Sequence, residues 1–250
     1  ARENAERILA DPSIATRALT RNHSTFSTKD IHAFAKRHST NETQYAQVYE
    51  AIKNHKEIVQ VQEYKDCFTT KQMLHLEMDM LNKANKLDRR QGHTVKDIEI
   101  IRPLTGEQKE VLDHLVATGD MKCVIGYAGS GKSYLLGAAR EVWEQSGYKV
   151  EGLTLSGIAA SGLQASSGIE SRTLASRMSY WDKGEEKLTK DTVLVVDEAG
   201  MLGSRQIAKI LKEVEKAEAK VVFIGDTEQL QAIEAGSAFR ALVDRVHTVN

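Results

Sequence analysis

Glycine is almost missing from the N-terminal part of this 250-residue chain: residues 1 to 102 hold only Gly92, and the other 16 of the 17 glycines lie beyond it. Such a break in composition marks a domain boundary near residue 102. Long apolar runs are lacking too. No stretch approaches the roughly 20 apolar residues that a membrane span needs, and the N-terminus carries Arg2, Glu3, Glu6 and Arg7 where a secretory signal would be apolar. A cytoplasmic protein is expected. The two cysteines, Cys67 and Cys123, lie far apart and belong to no CxxC or Cys/His cluster, so neither a disulfide framework nor a zinc site is supported, and buried, reduced thiols are expected. A surplus of charge is absent as well. With a formal net charge of -1, any nucleic-acid partner must be recognised by a local surface.

What is present is a globular composition, 41% apolar, enough for one sizeable core or two smaller ones. Residues 1 to 102 carry 17 Lys+Arg against 14 Asp+Glu and the rest 17 against 21, charges of +3 and -4, so the first part is the mildly basic one. Its pattern predicts two helices, one starting at Ser27 or Thr28 ahead of Ile31, Phe34 and Ala35, the other at Asn41 ahead of Tyr45, Val48, Tyr49 and Ile52. Residues 58 to 62 alternate apolar with polar, residues 63 to 66 are turn-like, residues 67 to 70 return as a second short strand, and a long helix follows over about residues 71 to 90. This order resembles a winged-helix unit and equally fits a small helical cap with a β-ribbon.

From Pro103 onward, apolar runs at residues 123 to 125, 149 to 155, 193 to 196 and 221 to 224 alternate with helical stretches. That alternation predicts an α/β domain, a parallel sheet covered on both faces.

The segment Gly126-Tyr127-Ala128-Gly129-Ser130-Gly131-Lys132-Ser133 fits GxxxxGK[ST] at every fixed position, follows an apolar strand and precedes a helical stretch that starts at Tyr134. Glycines are needed because successive backbone N–H groups must converge on one concavity at a helix N-terminus, which then cradles phosphates. ATP and Mg²⁺ are therefore the expected ligands, with Lys132 reaching the β/γ-phosphates and the Ser133 hydroxyl on the metal. A plain glycine-rich turn is the alternative. Downstream, the apolar run 193 to 196 ends in Asp197-Glu198, at the strand end where ligands of open parallel sheets sit. Asp197 is the expected outer Mg²⁺ partner and Glu198 the group that orients or deprotonates water; alone, such a pair would read as a helix start. After the run 221 to 224, Gln229 is the candidate γ-phosphate sensor, or else a loop or cap residue. Tyr180 and Trp181 either stack on bases or pack a loop.

In order and spacing, Leu104-Thr105-Gly106-Glu107-Gln108, the glycine-rich segment, Leu155-Ser156-Gly157-Ile158-Ala159-Ala160, Ser171-Arg172-Thr173-Leu174-Ala175-Ser176, Val196-Asp197-Glu198-Ala199-Gly200-Met201 and Gly225-Asp226-Thr227-Glu228-Gln229-Leu230 resemble the RecD-like superfamily 1B helicase part of TraA-type conjugative transfer relaxases. The resemblance covers residues 103 to 250, and Phe68-Thr69-Thr70-Lys71-Gln72-Met73-Leu74 is similar to the segment that precedes this part in those proteins. It implies that Gln108 reads adenine, that the nucleotide is held by Gly126, Ala128, Gly129, Ser130, Gly131, Lys132, Ser133 and Tyr134, and that Ser156, Gly157 and Thr173 contact single-stranded DNA. It also implies 5′-to-3′ polarity.

Two departures matter. The family's second motor domain, which brings the arginine that stabilises charge on the γ-phosphate, would begin about where residue 250 stands, and the relaxase signature of a nucleophilic tyrosine with three histidines is not seen. A fragment or truncated product is expected, an ATP-binding first motor domain whose hydrolysis is slow, since such an arginine is worth on the order of 10³ to 10⁵ in rate. The expected partners are single-stranded DNA and a second motor domain or the rest of a longer chain. The competing expectation is a nucleic-acid-binding or scaffold module with a vestigial ATPase.

Overall fold

The computed structural model describes residues 2–21, 23–62, 64–96, 103–126, 131–226, 236–246 and 248–249. Packing divides the chain into two units, residues 1 to 78 and 79 to 250. The break in glycine content near residue 102 falls inside the second unit.

The first unit contains helices α1 (Arg2–Ala10), α2 (Ser13–Leu19), α3 (Thr28–His38) and α4 (Glu42–Lys53), followed by strands β1 (Ile58–Gln60) and β2 (Phe68–Thr70). The predicted starts of α3 and α4 hold. The Ser27 hydroxyl accepts from the Asp30 N–H while the Asp30 carboxylate accepts from the Ser27 N–H at 2.7 Å, and the Asn41 side chain accepts from the Gln44 N–H at 2.8 Å. Each bond satisfies a backbone donor that the first helical turn leaves over. Helices α1 and α2 are additions to the two predicted. Their fully buried apolar residues are Ala5, Ile8 and Ala15, with Ile14 and Leu19 partly buried beside them, in a core completed by Phe26, Ile31, Ala35, Val48 and Ile52; helices this short offer too few positions to announce a period.

Strands β1 and β2 pair antiparallel, Ile58 against Thr70, and Phe26 exchanges two 2.8 Å backbone hydrogen bonds with Phe68 on the far side of β2. A helical start, a bridging residue, two helices and a hairpin whose last strand pairs with that residue give the connectivity of a winged helix. Helix α5 (Lys71–Arg89) starts on the Thr70 hydroxyl, which accepts from the Met73 N–H, and its later turns put Met80, Ala84 and Leu87 into the core of the second unit.

The second unit runs α6 (Gly106–Val116), β3 (Met121–Ile125), α7 (Lys132–Gln145), β4 (Lys149–Thr154), α8 (Gly157–Ser167), β5 (Glu170–Thr173), α9 (Leu174–Asp182), β6 (Thr192–Val196), a 3₁₀ turn (Ala199–Met201), α10 (Ser204–Ala217), β7 (Lys220–Gly225), α11 (Gly236–Val243) and β8 (Thr248–Val249). Among the described residues its strands lie in the order β5-β4-β6-β7-β3-β8, every pair parallel. All four predicted strands are present; β5 and β8 are additions.

Successive residues point to opposite faces. Val193, Val195, Val222 and Ile224 pack under α6, α7 and α8, whereas Leu194, Val196, Val221 and Phe223 pack against α5, α9, α10 and α11. Both faces are covered, which is why these strands read as continuous apolar runs.

The amino edge of the sheet holds charge out of water. The buried Asp120 carboxylate binds Arg90 at 3.0 Å and the His93 ring at 2.5 Å. Lys220, at the start of β7, is fully buried and donates to the Ala117 carbonyl at 2.7 Å. Burial, helped by the nearby Lys122 ammonium and opposed by Asp120, pulls the Lys220 pKa down from the usual lysine value to about 7.

Between pH 7 and the ordinary lysine value the unfolded chain then binds more protons than the folded one, so this group makes stability rise with pH. Above about pH 9 the buried Cys123 thiol, pushed above its ordinary range by burial, works in the opposite direction. Urea denaturation at pH 7 and pH 9 should therefore show the native protein gaining about 2 kcal/mol over its Lys220→Met variant across that interval. At the other edge, a Cβ on Gly225 would lie 2.6 Å from the Gly200 nitrogen and 3.0 Å from the Phe239 ring. Gly225→Ala should cost about 1–3 kcal/mol by the same measurement, because backbone rather than a flexible side chain must move.

Candidate nucleotide and strand-contact site

Because the strands are parallel, their carboxyl ends share one edge, and the residues there follow the sheet order: Thr173 at the end of β5, Ser156 after β4, Asp197 after β6, Asp226 after β7 and Gly126 after β3. At about 4.8 Å per strand, Asp197 stands two strands from Gly126, and Thr173 stands four strands from it.

The Gly126 N–H donates to the Gly225 carbonyl at 3.0 Å, and the Lys132 ammonium, half-buried at the head of α7, donates back to the Gly126 carbonyl at 2.8 Å. Gly131 precedes α7 with φ +78°, in the left-handed region that favours glycine. A Cβ there would press within 3.0 Å of the Gln108 amide nitrogen. Gln108 is placed by α6: its N–H donates to the Thr105 hydroxyl while its side-chain oxygen accepts from the Thr105 N–H at 3.1 Å, a reciprocal cap that leaves the amide nitrogen turned toward Gly131. Tyr134, exposed on the first turn of α7, donates to the Pro103 carbonyl at 3.4 Å. Ser133 is half-buried on the same turn. The predicted residues Ala128, Gly129, Ser130 and Gln229 lie outside the described residues.

Past β6, the Asp197 N–H donates to the Leu153 carbonyl at 2.9 Å, and its carboxylate accepts from the Glu198 N–H at 2.9 Å. Glu198 has φ +57° and ψ +31°. A left-handed glutamate is strained by about 1 kcal/mol or more. Among the described residues the Glu198 carboxylate has no hydrogen-bond or ion-pair partner, glycine would fit the bend better, and both acidic side chains are half-buried at the edge.

Ser156 and Thr173 are helix caps, accepting from the Ala159 N–H at 3.1 Å and the Ser176 N–H at 3.3 Å. Ser156 and Gly157 are exposed, and Ile158 beside them is 89% exposed. An apolar residue left this bare on the first turn of α8 is a feature that its sequence alone does not reveal.

Arg172 does not stand alone in solvent. It pairs with Glu186, which also holds the buried Arg177 at 3.2 Å, and Arg177 in turn binds Glu151 at 2.7 Å. Trp181 is buried under Arg177 and packs in the core, so it offers no face to a base. The two cysteines are free thiols, Cys123 buried as expected and Cys67 only half-buried. Among the described residues no cluster of three or more His, Cys, Asp or Glu side chains stands ready for a metal, and no helix is long and apolar enough to cross a membrane.

The conjugal transfer protein TraA of Rhizobium radiobacter is 37% identical over 260 residues, an alignment covering 98% of this chain and 24% of that protein. The ATP-dependent RecD2 DNA helicase of Deinococcus radiodurans is 31% identical over 151 residues, covering 58% of this chain and 21% of its own. The solved Pif1 helicase of Candida albicans is similar over 60% of this chain and 39% of its own, with 23% identity and a TM-score of 0.42. The chain thus spans about a quarter of the length of the TraA relatives it matches, and the likeness to TraA-type proteins seen in its motifs is borne out over nearly all of its residues. Residues 103–250, more than half of the sequence, match the family described as AAA domain, and the chain belongs to that family.

Proposed function

We propose that this chain is the ATP-binding first motor domain, with a preceding accessory region, of a superfamily 1B DNA helicase that moves 5′ to 3′ in conjugative DNA transfer in the cytoplasm. Residues 103 to 250 make the motor domain and residues 1 to 102 the accessory region. The observation that carries this reading is a single sheet edge on which Gly131, Lys132 and Ser133 open α7 and Asp197 and Glu198 close β6. The names of the relatives, a DNA helicase and a conjugal transfer protein, support it.

Lys132 is free to exchange its bond to a neutral carbonyl for the stronger one to a β- or γ-phosphate oxygen. The Gln108 amide, held by its cap beside Gly131, reads the adenine edge. Ser133 and Asp197 supply hard oxygen donors of the kind Mg²⁺ takes, and the cramped, side-chain-free Gly131 suits a phosphate cradle. When bound, the ion neutralises charge on the β/γ-phosphates. Glu198 orients and deprotonates the attacking water, Gln229 senses the γ-phosphate, and Ser156, Gly157 and Thr173 hold single-stranded DNA. Hydrolysis by these 250 residues alone is slow because the arginine that completes the site belongs to a second motor domain, the expected partner.

The test is nucleotide binding by a fluorescent ATP analogue together with ATPase rate, with and without single-stranded DNA. Lys132→Ala should weaken binding at least about tenfold, whereas Glu198→Gln should bind normally and lose about a hundredfold in whatever turnover a supplied second motor domain restores. Glu198→Gly should abolish turnover as well, yet raise folding stability by about 1 kcal/mol by relieving the left-handed backbone. DNA binding that ignores both ATP and Lys132→Ala would instead mark a scaffold module.

A further inference from the structure

The first unit carries a cleft of about 570 Å³ between α3 and the start of α4, lined by His32, Lys36, Ser39, Thr40, Glu42 and Tyr45 among others. Winged-helix connectivity suggests duplex binding by α4. Its exposed face argues otherwise: Glu42, Thr43, Ala46, Gln47 and Glu50 precede the first cation, Lys53. Such a face does not fit a groove walled by phosphates.

The cleft has different chemistry. His32 is exposed, yet its ring is fixed, stacked on Tyr49 with centroids 4.3 Å apart and hydrogen-bonded through Nδ1 to the Tyr45 hydroxyl. Holding an exposed ring in one orientation leaves a ready platform, and a base laid on it loses no further side-chain freedom. One turn on, Lys36 is exposed and has no ion-pair partner among the described residues. The Ser39 hydroxyl oxygen is shielded from solvent with no hydrogen-bond partner, an arrangement that costs free energy unless something completes it. A flat platform, an unpaired ammonium and an unmet hydroxyl match a base and the phosphate attached to it. Glu42 on the rim balances Lys36, so the cleft is near neutral and suits the single charge of a strand phosphate over a polyphosphate.

We infer that the α3–α4 cleft binds one nucleotide of single-stranded nucleic acid, the base on His32 and Tyr45 and the phosphate on Lys36 and Ser39. The inference goes beyond the motor reading and does not depend on ATP.

The experiment is fluorescence anisotropy of a labelled oligothymidine with the full chain, paired with photocrosslinking of the same oligonucleotide carrying 5-bromodeoxyuridine. The exposed substitutions His32→Ala and Lys36→Gln together should weaken binding at least about fivefold, steepest at low salt, and remove a crosslink to the Tyr45 peptide while leaving fluorescent ATP analogue binding unchanged. A Tyr45 crosslink that persists when Ser156→Tyr blocks the second unit supports the cleft independently of the motor reading. Crosslinks confined to the segments around Ser156 and Thr173, with affinity unmoved by the double substitution, would overturn the cleft and leave that reading intact. Duplex or free thymidine monophosphate competing as well as the oligonucleotide would also overturn it.

Discussion

The hydrogen bond from the Gly126 N–H to the Gly225 carbonyl closes the β3–β7 ladder at its carboxyl end, where Ile125 stands against Gly225. The remainder of the carboxyl edge is arranged around it. Gly225 has the backbone of Ala199 and Gly200 close against the place where a side chain would be, so the segment after Asp197 and Glu198 is seated on the same residue. Three strand ends meet at one position that lacks a Cβ. The lysine-bearing helix, the acidic pair and the end of β7 therefore share one reference point in the backbone, not a set of adjustable side-chain contacts.

The two edges of the sheet use opposite physics. At the amino edge, Asp120, Arg90 and His93 are locked to one another and the buried Lys220 donates to a carbonyl; ion pairing offsets the lost solvation of Asp120, whereas for Lys220 burial wins and pulls its pKa down. At the carboxyl edge the side chains are short or half-exposed and Glu198 sits in a disfavoured backbone region. Strain is tolerated at one end because the other end and both covered faces are well packed.

Legibility followed burial and chemistry. Strands β3, β4, β6 and β7 could be read because burial on both faces demands unbroken apolar runs, and the helix starts at Ser27 and Asn41 because capping needs particular side chains at fixed offsets. Strand β5, Glu-Ser-Arg-Thr, escaped because half-buried polar residues carry no such run. Arg172 was unreadable for a related reason: its partner Glu186 lies beyond α9, and only the fold brings them together. The glycine-rich segment and Asp197-Glu198 stand out as candidates by residue type and spacing alone. The arrangement that ties them, Gly225 against Gly200, does not, since a close backbone approach leaves only a glycine in the sequence and glycine has many causes. The division at residue 78 was hidden for the opposite reason: α5 has one continuous helical pattern, although its first turns belong to one unit and its later turns to the other.

Strand β5 has one further consequence. Among the described residues it ends the sheet on its side, paired only to β4, and a terminal strand offers unpaired backbone to any other extended chain. Here that strand is only four residues long, begins with Glu170 and carries Arg172 tethered to Glu186. Short length and fixed charge of both signs make it a poor template for edge-to-edge association. The polar sequence that kept β5 from being recognised as a strand is the same feature that discourages a stray extended chain from adding to the sheet beside it.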